Sequence, residues 1–190
     1  MNADKQSQLS AAVKRVLGGD CLSVSVAHDE VTVCVPRARI AVALQKLRDD
    51  PATSMTQLMD ICGVDYPARS ERFDVVYQLV SLSGNVRVRV KITTDETTSV
   101  PSVCGVYSAA GWFEREAWDL CGIKFSGHPD LRRILTDYDF EGHPLRKDFP
   151  LTGTVELRYD DEKKRVAYEP VKLSQEHREY DFLSPWAGEG

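Results

Sequence analysis

The stretch RFDVVYQLVSLSGNVRVRVKITT, residues 72–94, decides the fold class that the sequence predicts. Two runs rich in β-branched residues flank the turn SGN, where glycine and asparagine supply the positive φ that tight hairpins require. In the second run, apolar residues alternate with Arg87, Arg89 and Lys91. We therefore predict an antiparallel hairpin with one buried face and one basic face. The basic face either meets solvent or is covered by a partner.

Upstream of this hairpin, the pattern predicts a helix ended by Gly18 and Gly19, then a second hairpin within residues 21–36. A second helix follows at Ile40 to Leu47, and LMDICGV, residues 58–64, is consistent with a short strand. Helical and strand patterns thus surround the central hairpin on both sides.

Downstream, AAGWFEREAWDLCG, residues 109–122, has helical spacing and ends at Gly122, which suits a left-handed C-cap. Its predicted apolar face consists of Phe113, Ala117, Leu120 and Cys121. His128 and Pro129 predict the start of another short helix, because proline is tolerated in a first helical turn. Apolar runs flanking DDEKK, within residues 155–168, predict a small hairpin.

Together these elements predict an α+β fold in which helices pack on a mainly antiparallel sheet, followed by an extended C-terminal tail. We assign residues 1–150 to the α+β domain and residues 151–190 to a short hairpin and a partner-docking tail. The tail contains Tyr180, Phe182 and Trp186 without any helical or strand period. Apolar residues of that kind are expected to become ordered on a partner surface.

Composition excludes several classes of protein. A net charge of −5 argues against a nucleic-acid binder, which needs a basic surface. No apolar run approaches the roughly 20 residues that span a bilayer, so membrane contact is expected only through a complex. The five cysteines are scattered without a CxxC pair, which favours free thiols over a zinc or iron–sulfur site.

Residues 112–153, the signature segment, are rich in charge and aromatic side chains, as in an active site or a docking surface. Glu114 and Glu116 point to different helix faces, and nearby arginines favour ion pairs over general acid chemistry. Cys121, His128 and His143 match no zinc spacing. The segment also has no GxSxG elbow or phosphate-binding loop. The composition therefore favours docking, with Arg115, Arg132 and Arg133 holding Glu114, Glu116 or Asp119.

The stretch FEREAWDLCGIKFSGHPDLRRIL, residues 113–135, continues through TDYDFEGHPLRKDFPLTG, residues 136–153. This run resembles the C subunit, a hydrophilic peripheral-arm component, of the proton-translocating NADH:quinone oxidoreductase, respiratory complex I. Cys121 departs from the family pattern, which has a larger apolar residue there. The resemblance and the composition together single out these signature and interface residues: Glu114, Arg115, Glu116, Asp119, His128, Arg132, Arg133, His143, Arg146, Lys147, Tyr180, Phe182 and Trp186.

The resemblance implies a structural component of the peripheral arm that carries no catalytic residue, metal or cofactor of its own. FMN and iron–sulfur clusters would then lie in partner subunits, and the neighbours would include the quinone-site subunit and cluster-bearing subunits. The location implied is the cytoplasmic face of a bacterial inner membrane, or the matrix side in mitochondria. The alternatives are the equivalent subunit of a membrane-bound hydrogenase and a stand-alone enzyme using Glu116 or His128.

Overall fold

The computed structural model describes residues 3–175, which divide into two compact units between Phe149 and Pro150. A five-stranded sheet organises the first unit, with strand order β1-β2-β5-β4-β3 and one parallel pair, β2–β5. Its strands are β1 Ser23–Ala27, β2 Glu30–Cys34, β3 Gln57–Asp65, β4 Phe73–Ser81 and β5 Val86–Thr94.

The helices are α1 Ala3–Leu17, α2 Ile40–Asp49 and α3 Ala110–Cys121. A small parallel pair joins β6 Val100–Pro101 and β7 Phe125–Ser126. The predicted α+β fold is confirmed.

Both predicted hairpins of the first unit form as antiparallel pairs. β4 and β5 pair from Phe73 with Thr94 to Ser81 with Val86, and Asn85 takes the positive φ of the turn. His28 and Asp29 both have positive φ between β1 and β2, as a two-residue type I′ turn requires. Strand β3 extends one residue beyond the predicted segment at each end, and a bulge near Met59 shifts its register with β4.

The core lies on one face of the sheet, where Val88, Val90 and Ile92 of β5 are buried. Helices α1, α2 and α3 all contribute side chains to this core. The other face carries the predicted basic row, in which Arg89 pairs with Glu30 and Lys91 lies 3.8 Å from Asp74. Alternation along β5 therefore separates an apolar face from a charged one.

The buried face of helix α3 matches the predicted face in part. Its buried residues are Ala110, Glu114, Ala117, Asp119 and Cys121, whereas Phe113 and Leu120 are only partly buried. The prediction is confirmed for Ala117 and Cys121, but it missed the two buried carboxylates because it counted apolar residues alone. Gly122 ends the helix as predicted, with φ 78° and an N–H bond to Trp118 O of 2.8 Å.

We expect Gly122→Ala to lower the free energy of unfolding by about 1–2 kcal/mol or more, the typical penalty for a side chain in the left-handed region. A Cβ at this position would also lie 2.6 Å from His143 Cδ2 and against the Arg146 guanidinium. Urea unfolding measures the loss. Gly19→Ala is the control, since a Cβ there meets nothing within 4 Å, and equal stability of both variants would contradict the expectation.

The short helix predicted from His128 does not form, and residues 127–135 run as an irregular segment. Hydrogen bonds from Arg115 and to Asp119 occupy backbone C=O and N–H groups that this helix would use. In the second unit, the predicted hairpin is confirmed as β8 Val155–Asp160 and β9 Arg165–Pro170. Tyr180, Phe182 and Trp186 lie outside the described residues.

Candidate functional site

Asp119 organises the signature segment. Its side chain is fully buried near the end of α3 and accepts hydrogen bonds from the backbone N–H groups of Ile134, Leu135 and Thr136 at 2.8–3.0 Å. Arg133 donates to its other oxygen at 2.8 Å. One carboxylate of the helix therefore fixes the backbone of a segment that begins 15 residues downstream.

The environment of Asp119 stabilises its ionised form. Burial alone would raise the pKa of this carboxyl, but hydrogen bonds from the Thr136 hydroxyl and from the three backbone N–H groups outweigh it. The pKa of Asp119 is therefore held well below its ordinary value. A carboxyl that stays ionised serves as a hydrogen-bond acceptor and is unsuited to general acid catalysis at neutral pH.

The arginines act differently from the prediction, which within residues 3–175 is confirmed only for Arg133 and Asp119. Arg115 donates to the carbonyl oxygens of Arg132 and Arg133, at 3.1 and 2.9 Å, instead of to a carboxylate. Arg132 pairs with Asp130 on the surface. Because Arg115 takes these carbonyls and Asp119 takes the N–H groups that follow, the segment satisfies its backbone without forming the predicted helix.

A second contact region, centred on Arg72, holds the segment further along. The Arg72 guanidinium donates to both oxygens of Asp65 at 2.6 and 2.8 Å, and it also reaches Asp148 and Glu96. The Asp65 carboxylate, almost fully buried, accepts the Lys147 N–H at 2.7 Å. Hydrogen bonding to Arg72 lowers the pKa of Asp65.

Between these two regions, residues 143–146 attach directly to the end of α3. His143 Nδ1 donates to Asp119 O at 2.9 Å, and Leu145 N–H donates to Leu120 O at 2.9 Å. Arg146 Nε donates to Cys121 O at 2.7 Å. Carbonyls that have no partner inside the helix are thus satisfied by the signature segment.

Glu114 is fully buried and is held without an arginine among the described residues. Oε1 accepts the Val103 N–H at 2.7 Å, and Oε2 lies 3.6 Å from Cys104 Sγ. Burial raises the pKa of Glu114, against the weaker effects of these hydrogen bonds. The arginine partner predicted for Glu114, Glu116 or Asp119 is therefore found at Asp119 and not at Glu114.

We expect the difference in free energy of unfolding between Glu114→Gln and the original chain to shift progressively in favour of the variant as pH rises above about 4.5. A raised folded-state pKa means that the folded protein binds the proton more tightly than the unfolded chain. The free energy of unfolding of the original chain therefore falls as pH rises from the unfolded to the folded pKa, by up to about 1.4 kcal/mol per pH unit. Unfolding in urea from pH 4 to pH 9 measures the difference. Glu116→Gln, at an exposed position of α3, should show no such trend; a constant gap for Glu114→Gln would refute the expectation.

Cys104, Glu114 and His128 place one donor atom each within 4.8 Å of the others. Such sulfur, oxygen and nitrogen ligands suit zinc. However, His128 Nδ1 accepts the Asp130 N–H at 3.0 Å, so the ring proton lies on Nε2, which donates to Gly111 O at 3.0 Å. A metal would bind Nε2 only after this bond was broken. The geometry favours a hydrogen-bonding role for His128, and the absence of a metal stays a prediction.

The described signature residues separate into two groups. Buried or half-buried residues hold the segment from inside: Glu114, Arg115, Asp119, His128, Arg133, His143 and Arg146. Glu116, Arg132 and Lys147 are exposed. Sequence reasoning missed Arg72 and Asp65, which lie outside the segment, and the exposed Tyr138 and Leu145 within it. Nothing in the local pattern around Arg72 signals its contact with Asp148, 76 residues away.

This chain is similar to proteins of a known family. Residues 33–155 match the family described as "Respiratory-chain NADH dehydrogenase, 30 Kd subunit". The C subunit of NADH-quinone oxidoreductase from Xanthobacter autotrophicus is 60% identical over 96% of this chain and 87% of its own length. The corresponding C subunit from Brucella abortus is 57% identical over 99% of this chain and 93% of its own.

Among solved structures, a chain of the membrane-bound sulfane sulfur reductase, an archaeal respiratory membrane complex, is similar. The TM-score is 0.63 at 25% identity, covering 74% of this chain and 85% of that one. No helix among residues 3–175 is both long and apolar enough to span a bilayer.

Proposed function

The chain belongs to the family of the 30 kDa subunit of respiratory-chain NADH dehydrogenase, and from this membership we propose that it is a structural subunit of the peripheral arm of respiratory complex I. In this role it supports electron transfer from NADH through iron–sulfur clusters to quinone, coupled to proton translocation. FMN and the clusters lie in partner subunits, and the chain itself supplies no catalytic residue.

One observation carries this proposal: the buried and half-buried charged residues of the signature segment hold its own backbone. Asp119 and Arg133 are engaged with each other and with residues 134–136, and Arg146 is engaged with Cys121. A depressed carboxyl pKa and hydrogen-bonded guanidinium groups suit a rigid scaffold better than proton transfer. Because these contacts fix the backbone of the segment from the interior side, its outer surface is preorganised to dock a partner.

The proposed partners are the quinone-site subunit and the cluster-bearing subunits, on the cytoplasmic face of the inner membrane. The second unit offers a surface for them. Val155, Leu157 and Tyr159 of β8 share a face with Val166 and Tyr168 of β9, and all five are more than half exposed. A two-stranded hairpin is marginally stable alone, so contact with a partner would stabilise it.

A second candidate is the equivalent subunit of a related membrane-bound complex, favoured by the similarity to the archaeal sulfane sulfur reductase chain. The two candidates share a scaffold role and differ in the electron donor and acceptor of the assembly. Identification of the co-assembled subunits separates them.

The test is complementation of a bacterium from which the homologous subunit has been deleted, with the tagged chain expressed in its place. We expect detergent-solubilised membranes to yield the chain within a large complex that oxidises NADH with quinone. Glu116→Gln and His128→Asn should leave turnover per assembled complex unchanged. A chain that purifies alone would argue for the stand-alone enzyme, and loss of turnover per complex in either variant would argue for a catalytic role of that residue.

A further inference from the structure

Residues 137–142, here called the 137–142 loop, are held rigidly from one side. Phe140 N–H donates to Asp137 O at 3.0 Å, and the Phe140 ring lies 5.8 Å from the Phe149 ring. Arg133 lies over Phe140 at 5.7 Å and donates to Gly142 O at 3.2 Å. Gly142 has φ 98°, and a Cβ there would lie 2.9 Å from Phe149. The conformation of the loop is therefore fixed before any partner binds.

The opposite side of the loop is exposed. Tyr138 is 79% accessible, and Asp139 and Glu141 are exposed on either side of Phe140. Leu135 and Leu145, at 61% and 56% accessibility, flank the loop, and their N–H groups bind the adjacent α3 residues Asp119 and Leu120. A rigid tyrosine among exposed leucines has the composition of an interface hot spot.

The charged side chains of the loop itself all have one sign, whereas the exposed Arg132 and Lys147 lie just outside it. From residue 134 to residue 145 the chain contains three carboxylates and no lysine or arginine. His143 is turned inward, towards Asp119 O. Anionic lipid and nucleic acid would be repelled by such a surface, whereas a protein surface with lysine or arginine around an apolar recess would be complementary.

We propose that the 137–142 loop is a docking site for a partner protein that receives the Tyr138 ring in an apolar recess bordered by lysine or arginine. This proposal rests on the proposed function, since it requires a partner in the same complex. The partner would recognise the exposed residues of the 137–142 loop, whereas the charged residues of the signature segment hold that loop in place.

The first experiment replaces Tyr138 with a photoreactive benzoylphenylalanine in the assembled complex. We expect the crosslink, located by mass spectrometry, to join a partner peptide with lysine or arginine beside apolar residues. A crosslink to an acidic peptide, or no crosslink to any partner, would overturn the proposal.

The second experiment is competition between differently tagged original and variant chains expressed together. Tyr138→Ala and the double change Asp139→Lys, Glu141→Lys should each lower recovery in the complex by about tenfold or more. Asp4→Lys with Asp49→Lys, at exposed positions of α1 and α2, is the matched control and should compete equally. All variants should unfold at the same temperature as the isolated original chain, because the changed side chains are exposed.

Recovery of the loop variants equal to that of the control would refute the docking site while leaving the proposed function intact. Failure of the original chain itself to enter any complex would refute the proposed function instead.

Discussion

Replacing Asp119 with asparagine is expected to lower the free energy of unfolding by about 3–5 kcal/mol, the typical effect of removing one partner of a buried ion pair. The carboxylate is fully buried and accepts from three backbone N–H groups, the Thr136 hydroxyl and Arg133. An amide of the same shape turns an N–H₂ group towards some of these donors and leaves the guanidinium without its counter-charge. We also expect loss of the assembled complex, because residues 133–136 lead directly into the 137–142 loop.

Urea unfolding of the isolated chain measures this loss, and its pH dependence identifies the cause. Since the folded-state pKa of Asp119 is lowered, its stabilisation is fully present above the unfolded pKa, about 3.9, and is lost as pH falls below that value. The gap between the two proteins should therefore close in acid. Asp130→Asn is the control, because Asp130 pairs with Arg132 at the surface, where such pairs contribute roughly 0–1 kcal/mol. A loss for Asp119→Asn no larger than that of the control would contradict the role assigned to Asp119.

The second large effect is expected from Arg72→Ala, again about 3–5 kcal/mol. The substitution leaves the Asp65 carboxylate buried with the Lys147 N–H as its hydrogen-bond donor among the described residues. It also removes the link from the start of β4 to Asp148, so the end of the signature segment loses one of its attachments to the sheet. Arg72→Lys should recover only part of the loss, because an ammonium group does not reproduce the planar fork that meets both oxygens of Asp65.

A double-mutant cycle with Asp65→Asn separates this ion pair from simple loss of packing. If the buried charge causes the loss, Arg72→Ala should be much less destabilising when Asp65 is already asparagine. Arg132→Ala, at an exposed pair, controls for removal of an arginine as such. Additive losses in the cycle would show that Arg72 does not stabilise the protein through Asp65.

The sequence by itself determined the elements whose signals are local. Alternation along residues 86–92, the turn at residues 83–85 and the left-handed glycine at position 122 depend on neighbouring residues, so strand, hairpin and helix end are visible in the chain. The family is also recognisable from the sequence, since the long signature run resembles that of the complex I relatives at fixed spacing.

Only the tertiary structure decided which charged residues are internal. Glu114 and Glu116 are glutamates of the same helix, yet Glu114 is fully buried and accepts the Val103 N–H, whereas Glu116 is exposed. Apolar periodicity does not reveal a buried carboxylate, because the partners that satisfy it are backbone groups from distant segments. The helix expected from His128 fails for the same reason: Arg115 and Asp119 bind its carbonyl and N–H groups across 15 to 18 residues, and hydrogen bonds of that range leave no local pattern.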